Sequence, residues 1–514
     1  MLRTLPSSVM CLALIAGCAT SAASLSPSPG QSTDASPTTV PPSGTQAATS
    51  PSTAEPTRSP SASPAPTLSP SAFPLPALSP RELGLDIRMA PGPNGTLFVS
   101  IPRPGGIGWD RGSVLSRIDR SAGSPLPGWP VFIRGATVCG LPLPVEDRSV
   151  RVVCTMENPD GNMYNPIAAF AFDSTGQPLP GWPIQLPGTA YTGRVVGDVL
   201  TLAETTPLGD VVLDGQPSHT VGLVTVAADG SVRRGTPAQR LQSWPWDRWA
   251  IGPDGVAYRV LPHEPSPAVS EITAIDLAGV RPGWPISIDG IASAPTFGPD
   301  GRIVLTVAAP VQYGTTGTTR VFIVDRAGRA IAARSSDLSV MTGLLPPASD
   351  GAFECGVPLP RPPIVAPDGA MIVFSDLDEA IYGLDSALKV MPGWPIAAGP
   401  LERPDPWLGQ GGISCPWVAV PAVGPDGTLY LPLKARNESV GGRLLAVGPD
   451  GRTRTGWPVE LRRAGSEFWS VVVGSDGTVH ALAIEPEAGG GSSATILAIA
   501  PDSSVIYSRT IFDP

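Results

Sequence analysis

The residues of this 514-residue chain whose types could do chemistry are six cysteines, three histidines and a recurring set of aspartates. His219, His263 and His480 lie far apart, and no spacing between them suggests a metal site. No Cys-x-x-Cys pair occurs, which counts against zinc, c-type haem and thioredoxin-like chemistry. Asp119, Asp173, Asp276, Asp325 and Asp385 each follow an apolar run and precede a turn containing glycine, except that the glycine is missing after Asp385. Such an aspartate accepts backbone N–H groups of its own turn, and a residue needed in every repeat is a poor catalyst. A calcium loop of the D-x-D-x-D-G kind is absent; Asp376-Leu377-Asp378-Glu379 comes nearest and reads as a solvated loop. No Gly-x-Ser-x-Gly turn marks a hydrolase nucleophile. The sequence therefore assigns no catalytic residue, no metal ligand and no cofactor.

Aromatic residues offer the better candidate surface. Trp244, Trp246, Arg248 and Trp249 fall within six residues, and Trp407 and Trp417 flank another segment. Tryptophan and arginine are enriched at binding hot spots, and indole shelves suit sugar rings. The competing expectation is that these indoles fill seams between structural units. Inter-strand loops, expected at 105–112, 156–166, 203–220, 310–319 and 401–416, are the other places for binding, because function usually sits on loops of a rigid scaffold.

The elements that must carry these residues are repeats. A Pro/Thr-Gly-Trp-Pro block recurs with Trp129, Trp182, Trp284, Trp394 and Trp457. Upstream lies a hairpin signal, Asn94-Gly95, Asp254-Gly255, Asp300-Gly301, Asp368-Gly369, Asp426-Gly427 or Asp476-Gly477, between apolar runs. That dipeptide favours a type I′ turn with positive φ at both central residues. A second strand ending in the aspartate, a turn and the tryptophan block complete four short antiparallel strands per unit. Units begin near Arg88, Val138, Arg194, Trp249, Thr296, Ile364, Val420 and Val471; the third, fifth and eighth lack the tryptophan block. Successive four-stranded units without helices predict an all-β, eight-bladed β-propeller, with seven blades as the alternative count.

The element Ala171-Phe172-Asp173-Ser174-Thr175-Gly176…Trp182, repeated as Ala274-Ile275-Asp276-Leu277-Ala278-Gly279…Trp284, resembles the tryptophan-docking motif of quinoprotein-type (PQQ-repeat) propellers. The resemblance spans the chain from about residue 85 and implies that each tryptophan packs between adjacent blades. Quinoprotein dehydrogenases would imply pyrroloquinoline quinone and calcium, with adjacent cysteines stacked on the quinone, and this chain has no adjacent cysteines. A PQQ- or metal-dependent oxidoreductase is thus the alternative function, and a carbohydrate-binding or glycan-cleaving propeller the second alternative.

The first residues read as an export signal: Arg3, then a short apolar run over 9–16 that is too short to span a bilayer. Ile15-Ala16-Gly17-Cys18 resembles the lipobox of bacterial lipoproteins, which implies cleavage after residue 17 and lipidation of Cys18. Residues 18–80 are dominated by Ser, Pro, Thr and Ala, too poor in apolar surface to fold, and form a tether; residues 81–514 form the propeller. Cys139, Cys154, Cys355 and Cys415 remain for disulfides in an exported protein; three pairings exist, and spacing favours Cys139–Cys154 and Cys355–Cys415. The net charge of −10, with no basic stripe, argues against nucleic acid as a partner. The expectation is an extracytoplasmic module, held to a bacterial membrane by Cys18, that binds or scaffolds an envelope protein or glycan.

Overall fold

The computed structural model describes residues 87–103, 112–157, 166–186, 189–213, 216–236, 248–263, 269–308, 317–334, 340–342, 362–375, 380–397, 421–433, 440–487 and 492–512. All belong to one unit, Ala65–Pro514. They form eight antiparallel sheets, each built from one contiguous stretch of chain, and the architecture is an eight-bladed β-propeller. Seven blades would have required two of the expected units to merge, and none do. Blade first strands begin at Arg88–Pro91, Ala136–Cys139, Thr189–Val196, Arg248–Ile251, Ile291–Ala292, Ile364–Val365, Ala422–Val423 and Glu467–Val473. These match the eight unit starts expected from sequence to within a few residues.

Inner strands of neighbouring blades touch: Leu143–Pro144 of blade 2 meets Arg88–Pro91 and Thr189–Val196, and Thr189–Val196 meets Arg248–Ile251. Thr296–Phe297 of blade 5 meets Ile364–Val365, and Ala422–Val423 meets Ile364–Val365 and Glu467–Val473. The last also meets Arg88–Pro91, so these strands line the wall around the axis. Among the described residues no strand is exchanged between the chain ends: blade 1 spans 88–134 and blade 8 spans 467–512. The ring closes instead by burial. Ile87, Met89, Leu97 and Val99 pack on Leu482, Ile484, Ala494 and Ile496. Arg120 adds an ion pair to Asp476 at 2.9 Å, and Arg509 Nη1 donates to the Gly123 carbonyl at 2.9 Å.

The hairpin turns differ from expectation in type. Only Asn94 (φ 59°) and Gly95 (φ 71°) are both left-handed; at the Asp-Gly turns the glycine alone is, as at Gly255 (φ 75°). Gly255 N–H donates to Gly252 O and Gly252 N–H to Val256 O. These bonds describe a type I turn followed by a left-handed glycine, the three-residue hairpin loop. The proline before most of the aspartates suits this arrangement, since its fixed φ matches the first central position of a type I turn. Pro93 precedes Asn94-Gly95 as well, so proline alone does not set the turn type. The expected loop over 203–220 is another correction: Val199–Leu213 and Gln216–Val226 pair as two long arms of one hairpin.

The strand register sets Cys139 directly opposite Cys154 on blade 2, and the two form a disulfide. Cys18, Cys355 and Cys415 lie outside the described residues. A tryptic map run without reductant should therefore recover the peptide carrying Cys139 joined to that carrying Cys154. Free thiols at both positions would contradict the pairing.

Candidate functional site

Each conspicuous residue has first to be tested for a structural role. The five repeat tryptophans are between 6 and 8 % exposed. Trp129, Trp182, Trp394 and Trp457 donate through Nε1 to the carbonyls of Ser174 (3.3 Å), Ala228 (3.0 Å), Pro449 (2.9 Å) and Pro501 (3.2 Å), each in the next blade. The Trp129 ring also meets Phe98 of its own blade edge-on at 5.8 Å and Phe172 of the next blade at 6.2 Å. An indole therefore removes apolar area at the seam while its N–H stays paired. Trp284 occupies the same place, but its Nε1 is buried without a hydrogen-bond partner.

The glycine before each indole is equally constrained. Gly128 and Gly393 both have φ of 85°, and a Cβ on either would overlap the Thr175 or Asp450 carbonyl oxygen across the seam. Backbone approaches backbone there so closely that only glycine fits.

Seams without the block use substitutes. Between blades 3 and 4 the Thr236 N–H donates to the Leu277 carbonyl at 3.0 Å, taking over the indole's hydrogen bond. Trp249 supplies the missing apolar bulk from the inner strand, packing with Ala203, Leu223 and Ile251 beneath the Arg259 guanidinium at 5.8 Å. At the closing seam Tyr507 takes the tryptophan's place. Gly123 lies against its ring, which faces His480 at 6.4 Å.

His480 itself aligns with Phe98, Tyr258 and Tyr430, four residues after the turn aspartate or asparagine of their blades, where each partners its blade's docking ring. It is fully buried. Burial pulls its pKa down to about 4, with the Asp476 carboxylate opposing and the Arg120 guanidinium assisting. The side chains of His219 and His263 lie outside the described residues.

The repeat aspartates act within their turns, as expected. Asp119 Oδ1 accepts from Ser121 N–H at 2.8 Å and Ala122 N–H at 3.0 Å; Asp325 Oδ1 accepts from Arg329 N–H at 2.8 Å and Ala327 N–H at 2.9 Å. Asp173, Asp276 and Asp385 do the same for Thr175, Ala278 and Ala387. The Ser121 hydroxyl, then the Ala122 and Ser121 N–H groups, hold the Asp119 carboxyl below the usual range. Among the described residues no group of three or more His, Cys, Asp and Glu is placed to hold a metal ion.

What remains is a cavity of ≈ 720 Å³ walled by inner strands and adjoining turns of blades 2 to 6. Its walls include Leu141, Leu143, Trp249, Ile251, Phe297 and Val365, with Pro253, Pro295, Pro299 and Pro367. Arg194 is the one charged residue among the described lining; Nη1 donates to the Ile251 carbonyl at 3.2 Å and the side chain is otherwise exposed. Thr296 lines it too, with its hydroxyl donated to the Val304 carbonyl at 3.1 Å. Arg248, at the start of Trp249's strand, is partly buried, with its guanidinium pKa lowered by burial and Nε without a partner. Of the aromatic cluster expected from sequence, Trp249 thus both fills a seam and walls the cavity, while Trp244, Trp246, Trp407 and Trp417 lie outside the described residues. Sequence reasoning missed Arg194, Leu141 and Phe297. The only signal for Arg194 and Phe297 was their place just before a hairpin turn, in the strand that each repeat turns toward the axis; Leu141 lies between strands and offered none.

No family model matches the chain, and no curated protein matches it. Solved structures with similar folds include the β-propeller domain of the Trilobed protease from Pyrococcus furiosus, at 13% identity and TM-score 0.39 over 73% of this chain and 95% of that one. A eukaryotic initiation factor is similar at 11% identity and TM-score 0.41, over 77% and 93% of the two chains. Virginiamycin B lyase from Staphylococcus aureus is similar at 10% identity and TM-score 0.29, over 59% and 98%.

Proposed function

We propose that this chain is a lipid-anchored, extracytoplasmic binding module: a PQQ-repeat-like propeller carried on a Pro/Ser/Thr tether from lipidated Cys18, catalysing nothing and scaffolding a component of the cell envelope. One observation carries the reading. The repeat aspartates are engaged in turns, Cys139 and Cys154 in a disulfide and His480 in a seam, while the described lining of the cavity is mostly apolar. Concave, mostly apolar sites with a few polar groups are what binding uses. The lipobox-like Ile15-Ala16-Gly17-Cys18 and the tether after it supply the anchoring part.

In-cell crosslinking of the full chain, followed by purification and identification of what accompanies it, tests this. A stoichiometric envelope protein is expected, together with release of the chain from membranes by Cys18→Ser. Recovery without a partner, combined with saturable binding of pyrroloquinoline quinone and calcium and a spectral change, would replace the scaffold reading with the oxidoreductase one.

A further inference from the structure

We infer that the axial cavity is a site for a small amphipathic anion, a single-chain apolar molecule ending in one carboxylate. This rests on the binding-module reading and names a ligand class for it. The walls come first. Leu141, Ile251, Phe297 and Val365 offer only carbon to an occupant, and the Thr296 hydroxyl is already donated to a backbone carbonyl. A sugar's array of hydroxyls would lose its water there and find too few partners. A flexible hydrocarbon loses nothing by entering, and ≈ 720 Å³ lies within the range of ligand pockets.

Charge selects the head group. The chain carries a net charge of −10, yet the first strands of its blades carry Arg88, Arg194 and Arg248 against the single acid Glu467. Of the carboxylates at the neighbouring turns, Asp254 pairs with Arg281 at 3.6 Å and Asp300 with Arg302 at 2.6 Å, while Asp368 accepts the Ala370 N–H at 3.0 Å. Arg194 spends one N–H on the Ile251 carbonyl, and no carboxylate among the described residues pairs with it. Its remaining guanidinium donors, on a side chain that lines the cavity, meet no acidic side chain among the described lining residues. An anionic head is the complement that satisfies them, and a charge-assisted bond to a carboxylate is about twice as strong as a neutral one. Leu141, half exposed at 51 %, marks apolar lining still open to water.

The test uses the full chain with decanoate and decan-1-ol, both below micelle-forming concentrations, followed by calorimetry and tryptophan fluorescence. Decanoate should bind saturably at one per chain and at least about tenfold tighter than the alcohol, since only the acid engages Arg194. Arg194→Gln should erase that preference while leaving the alcohol's affinity unchanged. Leu141→Glu, at a half-exposed position that tolerates charge, should weaken decanoate at least tenfold with an unchanged circular dichroism spectrum. Equal affinity for acid and alcohol, a preference surviving Arg194→Gln, or no saturable binding would each overturn the assignment. If an oligosaccharide bound in the cavity, that too would overturn it. An envelope protein still captured by a chain that binds neither probe would end the ligand assignment and leave the scaffold reading standing.

Discussion

Replacing Trp394 by Ala should lower the stability of the propeller by about 3–5 kcal/mol, the cost of emptying a large aromatic site in a packed core. Trp394 packs with Ile372, Phe374 and Ile381 of its own blade and Leu429, Leu431 and Val447 of the next, so its loss opens both faces of one seam. Neighbouring backbone cannot collapse into the gap without breaking strand pairings on either side. The Phe variants separate packing from hydrogen bonding. Trp394→Phe loses ring volume and also the bond from Nε1 to the Pro449 carbonyl, 2.9 Å long. Trp284→Phe loses similar volume but no hydrogen bond, because Trp284 Nε1 has none. The first should therefore cost about 1 kcal/mol more than the second. Shifts of the denaturation midpoint, followed by circular dichroism so that the removed fluorophore does not matter, give the comparison. Equal costs for the two Phe variants would show that the seam carbonyl contributes nothing.

This asymmetry illustrates what could be read from the chain before its fold. The Gly-Trp-Pro block and the turn aspartates are local signatures, fixed by backbone geometry within a few residues. They gave the blade number, the strand order and the Asx-turns at Asp119 and Asp325. Turn type was misjudged because Asp-Gly was read as the two central residues, whereas the type I turn begins one residue earlier and leaves only the glycine left-handed. The long hairpin across 199–226 was misjudged because its outer arms lack apolar alternation. The cavity was not legible at all. Arg194, Phe297 and Val365 precede their hairpin turns on axis-facing strands of three blades, and Leu141 joins them from the segment between two strands of a fourth. Nothing in the local sequence distinguishes such a residue from one packed into a seam. Trp249 is both, so neither expectation for the indole cluster was complete.

Between pH 6.5 and about 4 the propeller should lose roughly 3 kcal/mol of stability through His480 alone. The folded pKa, about 4, lies below the ordinary histidine value of 6.5 because burial disfavours the imidazolium. Above pH 6.5 neither state binds the proton, and the group has no effect. As pH falls through 6.5 the unfolded chain gains a proton that the native seam refuses, so unfolding is favoured progressively. Below about 4 the native histidine is protonated as well and the loss from this group stops growing.

The surroundings supply little relief. Tyr507 Oη is 3.4 Å from Nδ1, Nε2 has no partner, and the Asp476 carboxylate is held at 2.9 Å by Arg120 of blade 1. That ion pair is partly exposed and contributes little by itself. The position matters because, among the described residues, blades 1 and 8 share no strand and meet by side-chain packing at the seam beside His480. Acid should open the ring there first. His480→Gln removes the titration while keeping a polar side chain opposite Tyr507, and should flatten stability between pH 6.5 and 4.5. Hydrogen exchange should show blade 8 amides losing protection before those of blades 3 and 4. A wild-type chain as stable at pH 4.5 as at pH 7 would mean that the seam admits the proton, with water or movement of Tyr507 solvating the imidazolium.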